Sequence, residues 1–191
     1  MRRLLAAAVL AGAACGGPPA IRYFRPADSE RPVRARPLTL VDDATLRLAP
    51  VTGAVALRDR IMWRRSAVEL GYYENERWTE PPAGYAARAV ARELFEVRRI
   101  PRGGRAAPLE VSVALTAFEE VLLPRHAAHV VLTVSLLDVA TQRSLLEETV
   151  SATEPVPHEE AEAMARAMSA ALERSVVAAC DAVERRLPRA R

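Results

Sequence analysis

The spacing of apolar residues predicts two successive groups of strands, each followed by a helix. From Leu38 onward, apolar and polar residues alternate in LTLVDDATLRLAP, RIMWRR and AVELGYY, which is typical of half-buried strands. Pro50 and Gly53 separate the first two segments, and Ser66 marks the turn before the third. Three more alternating segments come later: LEVSVALTAF, HVVLTVSLLDV and SLLEETVSAT. The pattern therefore predicts three strands in each half of the domain.

Two segments with a helical period close these groups. The first begins near Thr79, a favoured N-cap residue, and Pro81 and Pro82 suit the first helical positions. Its apolar stripe is expected to face the core, and its charged residues are expected to face solvent: Arg88, Arg92 and Glu93. The second helix runs from about Glu159 to Leu187. We therefore predict a single α+β domain, with a mostly antiparallel sheet and two main helices in the order β-β-β-α-β-β-β-α.

The N-terminal residues MRRLLAAAVLAGAAC have the order of a bacterial secretion signal. Two arginines precede an apolar run from Leu4 to Ala14, which is shorter than the about 20 residues that cross a bilayer. The run ends at Cys15, which resembles a lipoprotein signal peptide (residues 1–14) followed by an acylated cysteine. Such signals usually carry a Leu-like residue where this chain has Gly12, so an ordinary cleaved signal is the alternative.

Residues 15–37 carry many prolines and charges and no apolar period. A segment of this composition buries little apolar surface, so we interpret it as a flexible tether between Cys15 and the domain. The domain is then expected over residues 38–187, with a short tail at 188–191.

The charge of the chain gives no support to nucleic-acid binding. The net charge of +3 is small and scattered, and cleavage of the signal removes Arg2 and Arg3. The mature domain is therefore nearly neutral and lacks the basic patch that nucleic-acid binding needs.

The residues that could carry chemistry do not form a recognisable set. His126 and His129 flank the start of a strand, and we interpret both as surface residues. The paired acids Asp42–Asp43 and Glu119–Glu120 are expected to be solvated, because neighbours in a strand point to opposite faces. Cys180 lies in an apolar helical pattern that indicates a buried thiol. Since the sequence contains no hydrolase, nucleotide-binding or zinc-protease motif, we predict a non-enzyme without metal or cofactor.

Three aromatic residues lie close together just before the first helix. Tyr72, Tyr73 and Trp78 fall within seven positions of a chain that is only 5% aromatic. Strand alternation predicts that one tyrosine faces the core and the other faces solvent or a partner. Because Tyr and Arg are enriched at interfaces, the candidate partner-binding residues are Tyr72, Tyr73, Arg77 and Trp78. The alternative is a structural corner in which Trp78 holds the helix against the sheet.

The segment RIMWRRSAVELGYYENERWTEPP, followed by an Ala-rich helix ending in ELF, closely resembles the ABC-type transport auxiliary lipoproteins. In that family, a strand with a basic and an aromatic residue leads into a pair of tyrosines, an Arg-Trp-x-Glu-Pro-Pro motif and a helix. The resemblance covers roughly residues 38–187. The matching positions are Trp63, Arg64, Tyr72, Tyr73, Arg77, Trp78, Glu80, Pro81 and Pro82.

The resemblance implies a periplasmic accessory subunit of an ABC transporter that works with MCE-domain proteins. Such systems are thought to move phospholipids or other hydrophobic molecules between the inner and outer membranes. The subunit would act as a docking component held in the membrane by acyl chains on Cys15, while ATP hydrolysis would belong to the permease and ATPase complex. Gly16 follows Cys15 in place of the Asp that often retains lipoproteins in the inner membrane, which favours the outer membrane. Family members can form rings, so a homo-oligomer is compatible with the resemblance.

A second function is also compatible with these features. The protein could be a periplasmic lipid-binding carrier that holds its ligand in a cavity of its own. The sequence favours the docking role, since two helices and alternating strands suffice to fill one core.

Overall fold

The computed structural model describes residues 19–33, 38–158 and 160–188. Within these ranges, eight strands form one mixed sheet and two helices accompany it, which confirms the predicted α+β domain. The strands are β1 (Arg22–Phe24), β2 (Leu46–Leu48), β3 (Thr52–Gly53), β4 (Arg60–Arg64), β5 (Leu70–Trp78), β6 (Leu109–Val121), β7 (Ala127–Asp138) and β8 (Arg143–Pro155). The helices are α1 (Pro82–Ala91), which continues into a π-helical segment (Arg92–Val97), and α2 (Ala161–Arg186).

The sheet combines long antiparallel pairings with short parallel ones. Strands β6, β7 and β8 form an antiparallel meander, and β4 and β5 form an antiparallel hairpin. On the other edge of β6, β2, β3 and β4 pair one after another, all parallel to it. The predicted first strand is thus divided into short pieces. A 3₁₀ turn over Val41–Asp43 interrupts it, and Asp42 has a φ of 52°, a left-handed conformation that Asp tolerates better than most residues.

The core lies between the helices and one face of the sheet. The inward residues predicted for β6 are buried: Leu109, Val111, Val113 and Leu115. Helix α2 packs its apolar stripe on β7 and β8, and the hydroxyl of Ser175 in this helix donates a hydrogen bond to the Val130 carbonyl (3.3 Å). Cys180 is buried on α2, as its apolar surroundings predict, and burial raises the pKa of its thiol.

A buried arginine joins α1 to α2. Arg98 is only 2% exposed and follows the π-helical segment. Its Nε donates to Glu93 Oε1 (2.9 Å), and its Nη1 reaches Glu184 Oε2 and Asp181 Oδ1, both at 2.8 Å. Glu93 was expected to face solvent, and that expectation is wrong because the helix widens at Arg92–Val97, which changes the direction of the side chains that follow.

Part of the segment interpreted as a tether lies against the domain. Arg22–Phe24 form β1, which pairs in parallel with the end of β5. Further along, the Ala27 amide donates to Ser169 Oγ (2.9 Å) and the Ser29 hydroxyl donates to Glu173 Oε1 (2.7 Å). These are backbone and polar side-chain contacts, which an apolar period does not reveal. Within the described ranges, no helix has the length and hydropathy needed to cross a membrane.

Candidate functional site

Trp78 is a buried core residue. It is 1% exposed, and its ring meets those of Phe118 and Tyr85 edge-on, with centroid distances of 5.2 and 6.2 Å. Tyr85 belongs to α1 and Phe118 to β6, so Trp78 holds the helix against the sheet. The structural-corner alternative therefore describes Trp78, and the other three candidate residues are more accessible.

Tyr72 fastens the β4–β5 hairpin to the loop before it. Its hydroxyl donates to the Ala56 carbonyl (3.0 Å), and the Arg60 guanidinium lies 5.2 Å from the centre of its ring. The side chain is half-buried and packs on the rim of the core. Since its hydroxyl and one ring face already have partners, Tyr72 has a structural role in addition to any contact with a partner.

Tyr73 lies beside a groove that is open to solvent. The groove has a volume of about 440 Å³ and is lined by Arg65, Tyr73, Glu120, Leu122, Leu123 and His126. Arg77 Nη1 donates to the Tyr73 carbonyl (3.0 Å), and so fixes the backbone beneath the ring. Tyr73 is half-buried like Tyr72, whereas we expected one inward and one outward residue. The register of β4 and β5 shifts between Arg60 and Met62, so on β5 the irregularity falls between Tyr72 and Arg77, next to Tyr73.

The acidic pair at the end of β6 was expected to be solvated, and that expectation is wrong. Glu119 and Glu120 are 3% and 5% exposed. Glu119 forms an ion pair with Arg64, and its Oε1 lies 3.3 Å from His129 Nδ1. Glu120 is paired with His126 across the turn. Neighbouring strand residues point to opposite faces, but here each acid meets a partly exposed partner: β4 and β7 supply Arg64 and His129 to Glu119, and the β6–β7 turn supplies His126 to Glu120.

Burial changes the proton affinity of two groups near this pair. The pKa of His129 is lowered, first by desolvation and then by the positive charge of Arg64. On β5, desolvation raises the pKa of Glu76, and the negative charge of Glu120 raises it further. From the sequence, the burial of Glu119 and Glu120 could have been predicted only by pairing them with His126 and His129 across the expected turn between β6 and β7.

We use the name hairpin end for residues 64–70, where β4 turns into β5, together with residues 121–126 between β6 and β7. The two segments are adjacent, because the Leu122 amide donates to the Arg64 carbonyl (2.8 Å). A shallow depression of about 730 Å³ lies on the surface that the two segments share. Large apolar side chains are exposed here: Val68, Leu70 and Leu123. The hairpin end therefore exposes aliphatic residues next to the groove beside Tyr73 and the buried carboxylates of Glu119 and Glu120.

The described residues contain no cluster of three or more His, Cys, Asp or Glu side chains that could hold a metal ion. Cys15 lies outside the described residues, so the predicted acylation site has no structural description here.

A family model places this chain among known proteins. Residues 28–178 match the ABC-type transport auxiliary lipoprotein component, and the chain belongs to that family. The family is one of transport auxiliary components and is not a known class of enzymes. The resemblance seen in the sequence is thereby confirmed. No curated protein sequence matches the chain.

Several solved structures have the same fold. Protein XCC0632 from Xanthomonas campestris is 20% identical with a TM-score of 0.73, over 86% of this chain and 98% of its own. An uncharacterised protein is 10% identical with a TM-score of 0.67, over 86% of this chain and 99% of its own. The hypothetical protein CT253 from Chlamydia trachomatis is 9% identical with a TM-score of 0.52, over 75% of this chain and 96% of its own. At these identities the similarity shows the fold alone.

Proposed function

We propose that this protein is a lipid-anchored periplasmic subunit that docks to an MCE-domain protein in an ABC-type transport system for phospholipid or other hydrophobic molecules. The family match over residues 28–178 carries this proposal, because it places the chain among transport auxiliary lipoproteins. The order of basic residues, apolar run and Cys15 supports an anchor at Cys15. The outer membrane is the proposed site of the anchor.

The composition of the groove beside Tyr73 supports a docking role. Tyr73 and Leu122 line this open groove beside the paired charges of Glu120 and His126. Aromatic and aliphatic side chains with charged groups at the edge are the usual composition of a protein interface. Arg77 holds the backbone under Tyr73 in place, which lowers the entropy lost when the ring is buried by a partner.

The anchor is tested with a single substitution. We expect Cys15→Ala to release the protein from membranes into the soluble periplasmic fraction, with an unchanged circular dichroism spectrum. Wild-type protein should incorporate radiolabelled palmitate, and the variant should not. Absence of label in the wild type would contradict the anchor.

Docking is tested by co-purification with the MCE-domain protein. We expect Tyr73→Ala to weaken recovery of the partner, because the ring supplies contact area at the groove. Arg143→Ala, an exposed position at the opposite end of the sheet, is the matched control and should recover the partner at the wild-type level. Equal recovery from both variants would remove Tyr73 from the docking surface.

A carrier function remains the alternative to docking. The space between the sheet and the helices is filled by side chains, among them Phe118, Met164 and Met168, which favours a docking protein. Mass spectrometry of lipid extracted from the purified domain separates the two functions: a carrier retains stoichiometric lipid, and a docking subunit does not.

A further inference from the structure

The hairpin end exposes aliphatic side chains that a water-soluble surface usually avoids in groups. Val68 is 94% exposed, and Leu70 and Leu123 are also exposed. The Leu122–Arg64 hydrogen bond holds their two segments together, so the three side chains belong to one end of the molecule. A group of exposed aliphatic residues at one end indicates a surface that contacts a membrane or a protein partner.

The turn that carries Val68 is held in shape by its own contacts. The Ser66 hydroxyl accepts hydrogen bonds from the amides of Val68 (3.3 Å) and Glu69 (3.0 Å), and Arg65 Nη1 donates to Glu69 Oε1 (3.0 Å). Behind the turn, the Trp63 ring lies over Gly71, where a Cβ would overlap it. The exposure of Val68 is therefore a property of an ordered turn.

The direction of β1 shows where the chain before it leads. Arg22 is level with Glu76, and β1 runs parallel to β5. Going backwards from Arg22, the chain therefore leaves toward the start of β5, at Leu70. Leu70 is six residues before Glu76, or about 20 Å along a strand.

The length of chain between Arg22 and Cys15 matches this distance. Cys15 is seven residues before Arg22, and seven extended residues span at most about 25 Å. Cys15 can therefore lie level with the hairpin end. The far end of the sheet, at the β7–β8 turn, lies in the opposite direction, beyond the twelve residues of β7 and about 40 Å from the hairpin end.

We propose that the hairpin end rests on the lipid surface that holds the anchor, with Val68, Leu70 and Leu123 in the interfacial layer. The inference rests on the proposed acylation of Cys15. Acyl chains must enter the hydrocarbon, and the short chain to Arg22 then brings this end of the domain to the membrane.

The test uses the full, acylated chain reconstituted in vesicles of phosphatidylethanolamine and phosphatidylglycerol. An environment-sensitive fluorophore is attached at Val68→Cys, and at Ala140→Cys as the matched control. Ala140 is exposed in the β7–β8 turn at the opposite end of the sheet. Cys180 is buried, and the unsubstituted protein measures any label that it takes up.

We expect the Val68 label to shift to shorter emission wavelength on reconstitution and to be quenched several-fold more than the Ala140 label by nitroxide-bearing lipid. Equal, low quenching at both positions would overturn the proposal. A Val68 label that is shielded from iodide in water but not quenched by the lipid nitroxide would also overturn it, because a protein partner or a second copy would then cover the end.

Acylation is measured separately on the same preparation by palmitate incorporation. Failure of labelling would remove the anchor itself, whereas an acylated protein with an unquenched Val68 label would remove only the contact with lipid. A triple Asp variant at Val68, Leu70 and Leu123 gives a second measurement. We expect it to stay acylated but to lose the difference in lipid quenching between a label at Ala67→Cys, an exposed position of the same turn, and the label at Ala140→Cys. Retention of that difference would overturn the proposal.

Discussion

Two clusters of charged residues lie in different parts of the molecule and differ in which of their side chains are exposed to solvent. Around Arg98, between the π-helical segment and α2, the guanidinium has three carboxylate partners and donates to the Val177 carbonyl (3.2 Å) as well. At the hairpin end, Glu119 shares Arg64 and His129, whose side chains are partly exposed. In the first cluster, which we call the closed cluster, the cation and two of its three carboxylates are buried, and only Asp181 is exposed. In the second, which we call the open cluster, the carboxylate is buried and its cationic partners are partly exposed.

The difference separates a structural role from a candidate binding role. A buried guanidinium held by two buried carboxylates acts mainly on the fold, because a partner can reach only the exposed carboxylate of Asp181. A buried carboxylate whose cationic partner is partly exposed can stabilise the fold, and its cationic partner can also contact a molecule that binds to the surface. The same residue types therefore serve different purposes, and solvent access decides which.

The largest effect is expected from Arg98→Ala, which tests the closed cluster. Removing the cation takes a charged partner from two buried carboxylates, Glu93 and Glu184, which should lower the free energy of unfolding by about 3–5 kcal/mol. Chemical denaturation of the Cys15→Ala chain measures it as a lower midpoint. A loss below about 1 kcal/mol would show that water or other groups compensate the two carboxylates once Arg98 is removed.

A smaller loss is expected from Glu119→Gln at the hairpin end. Arg64 is about one-third exposed on its side chain and can turn toward water when the carboxylate is removed. We therefore expect a loss of about 1–3 kcal/mol in the same denaturation measurement. If Glu119→Gln cost as much as Arg98→Ala, the two clusters would not differ in the way the structure indicates.

The open cluster should also respond to pH through His129. Its pKa is lowered in the folded protein, so below about pH 6.5 the unfolded chain takes up a proton that the folded chain does not. Stability should therefore fall as the pH is lowered from about 7 toward 5, and part of this slope should vanish in His129→Gln. Denaturation at several pH values measures the slope. An NMR titration in which the pKa of His129 is at or above its ordinary value would contradict the assignment.

The smallest loss of stability is expected from Arg166→Ala, which serves as the reference for the losses in the other variants. Arg166 donates to Glu162 one turn away on α2 (2.9 Å), and both side chains are mostly exposed. Such a pair contributes about 0.5 kcal/mol or less. A larger loss in the denaturation midpoint would show that removing any arginine weakens this protein, and the comparison between the two clusters would then lose its reference.

Long periodic segments were predictable from the sequence. The meander β6–β8 and helix α2 were expected close to their observed positions, and the Ser66 turn was also placed correctly. Their patterns extend over ten or more residues, so local spacing and burial agree. The short parallel strands β1, β2 and β3 were not separated, because two or three residues carry no period and their pairing depends on a distant edge of β6 or β5.

The candidate site was predicted only in part. The tyrosines and Arg77 stood out by composition, whereas Glu119 and Glu120 were interpreted as solvated. Each lies in an alternating strand, and alternation gives the direction of a side chain without saying what covers it. The partners Arg64 and His126 come from other segments, and only the sheet brings them within reach.

By itself, the sequence determined the α+β class, the resemblance to transport auxiliary lipoproteins and the cysteine proposed for the anchor, because each depends on residues that are neighbours along the chain. Only the tertiary structure decided that Trp78 is core, that Arg98 lies in a closed charge cluster and that the exposed aliphatic residues share one end with the start of β5. Burial depends on which distant segments meet, and the energy of a charge or an apolar side chain depends on that burial.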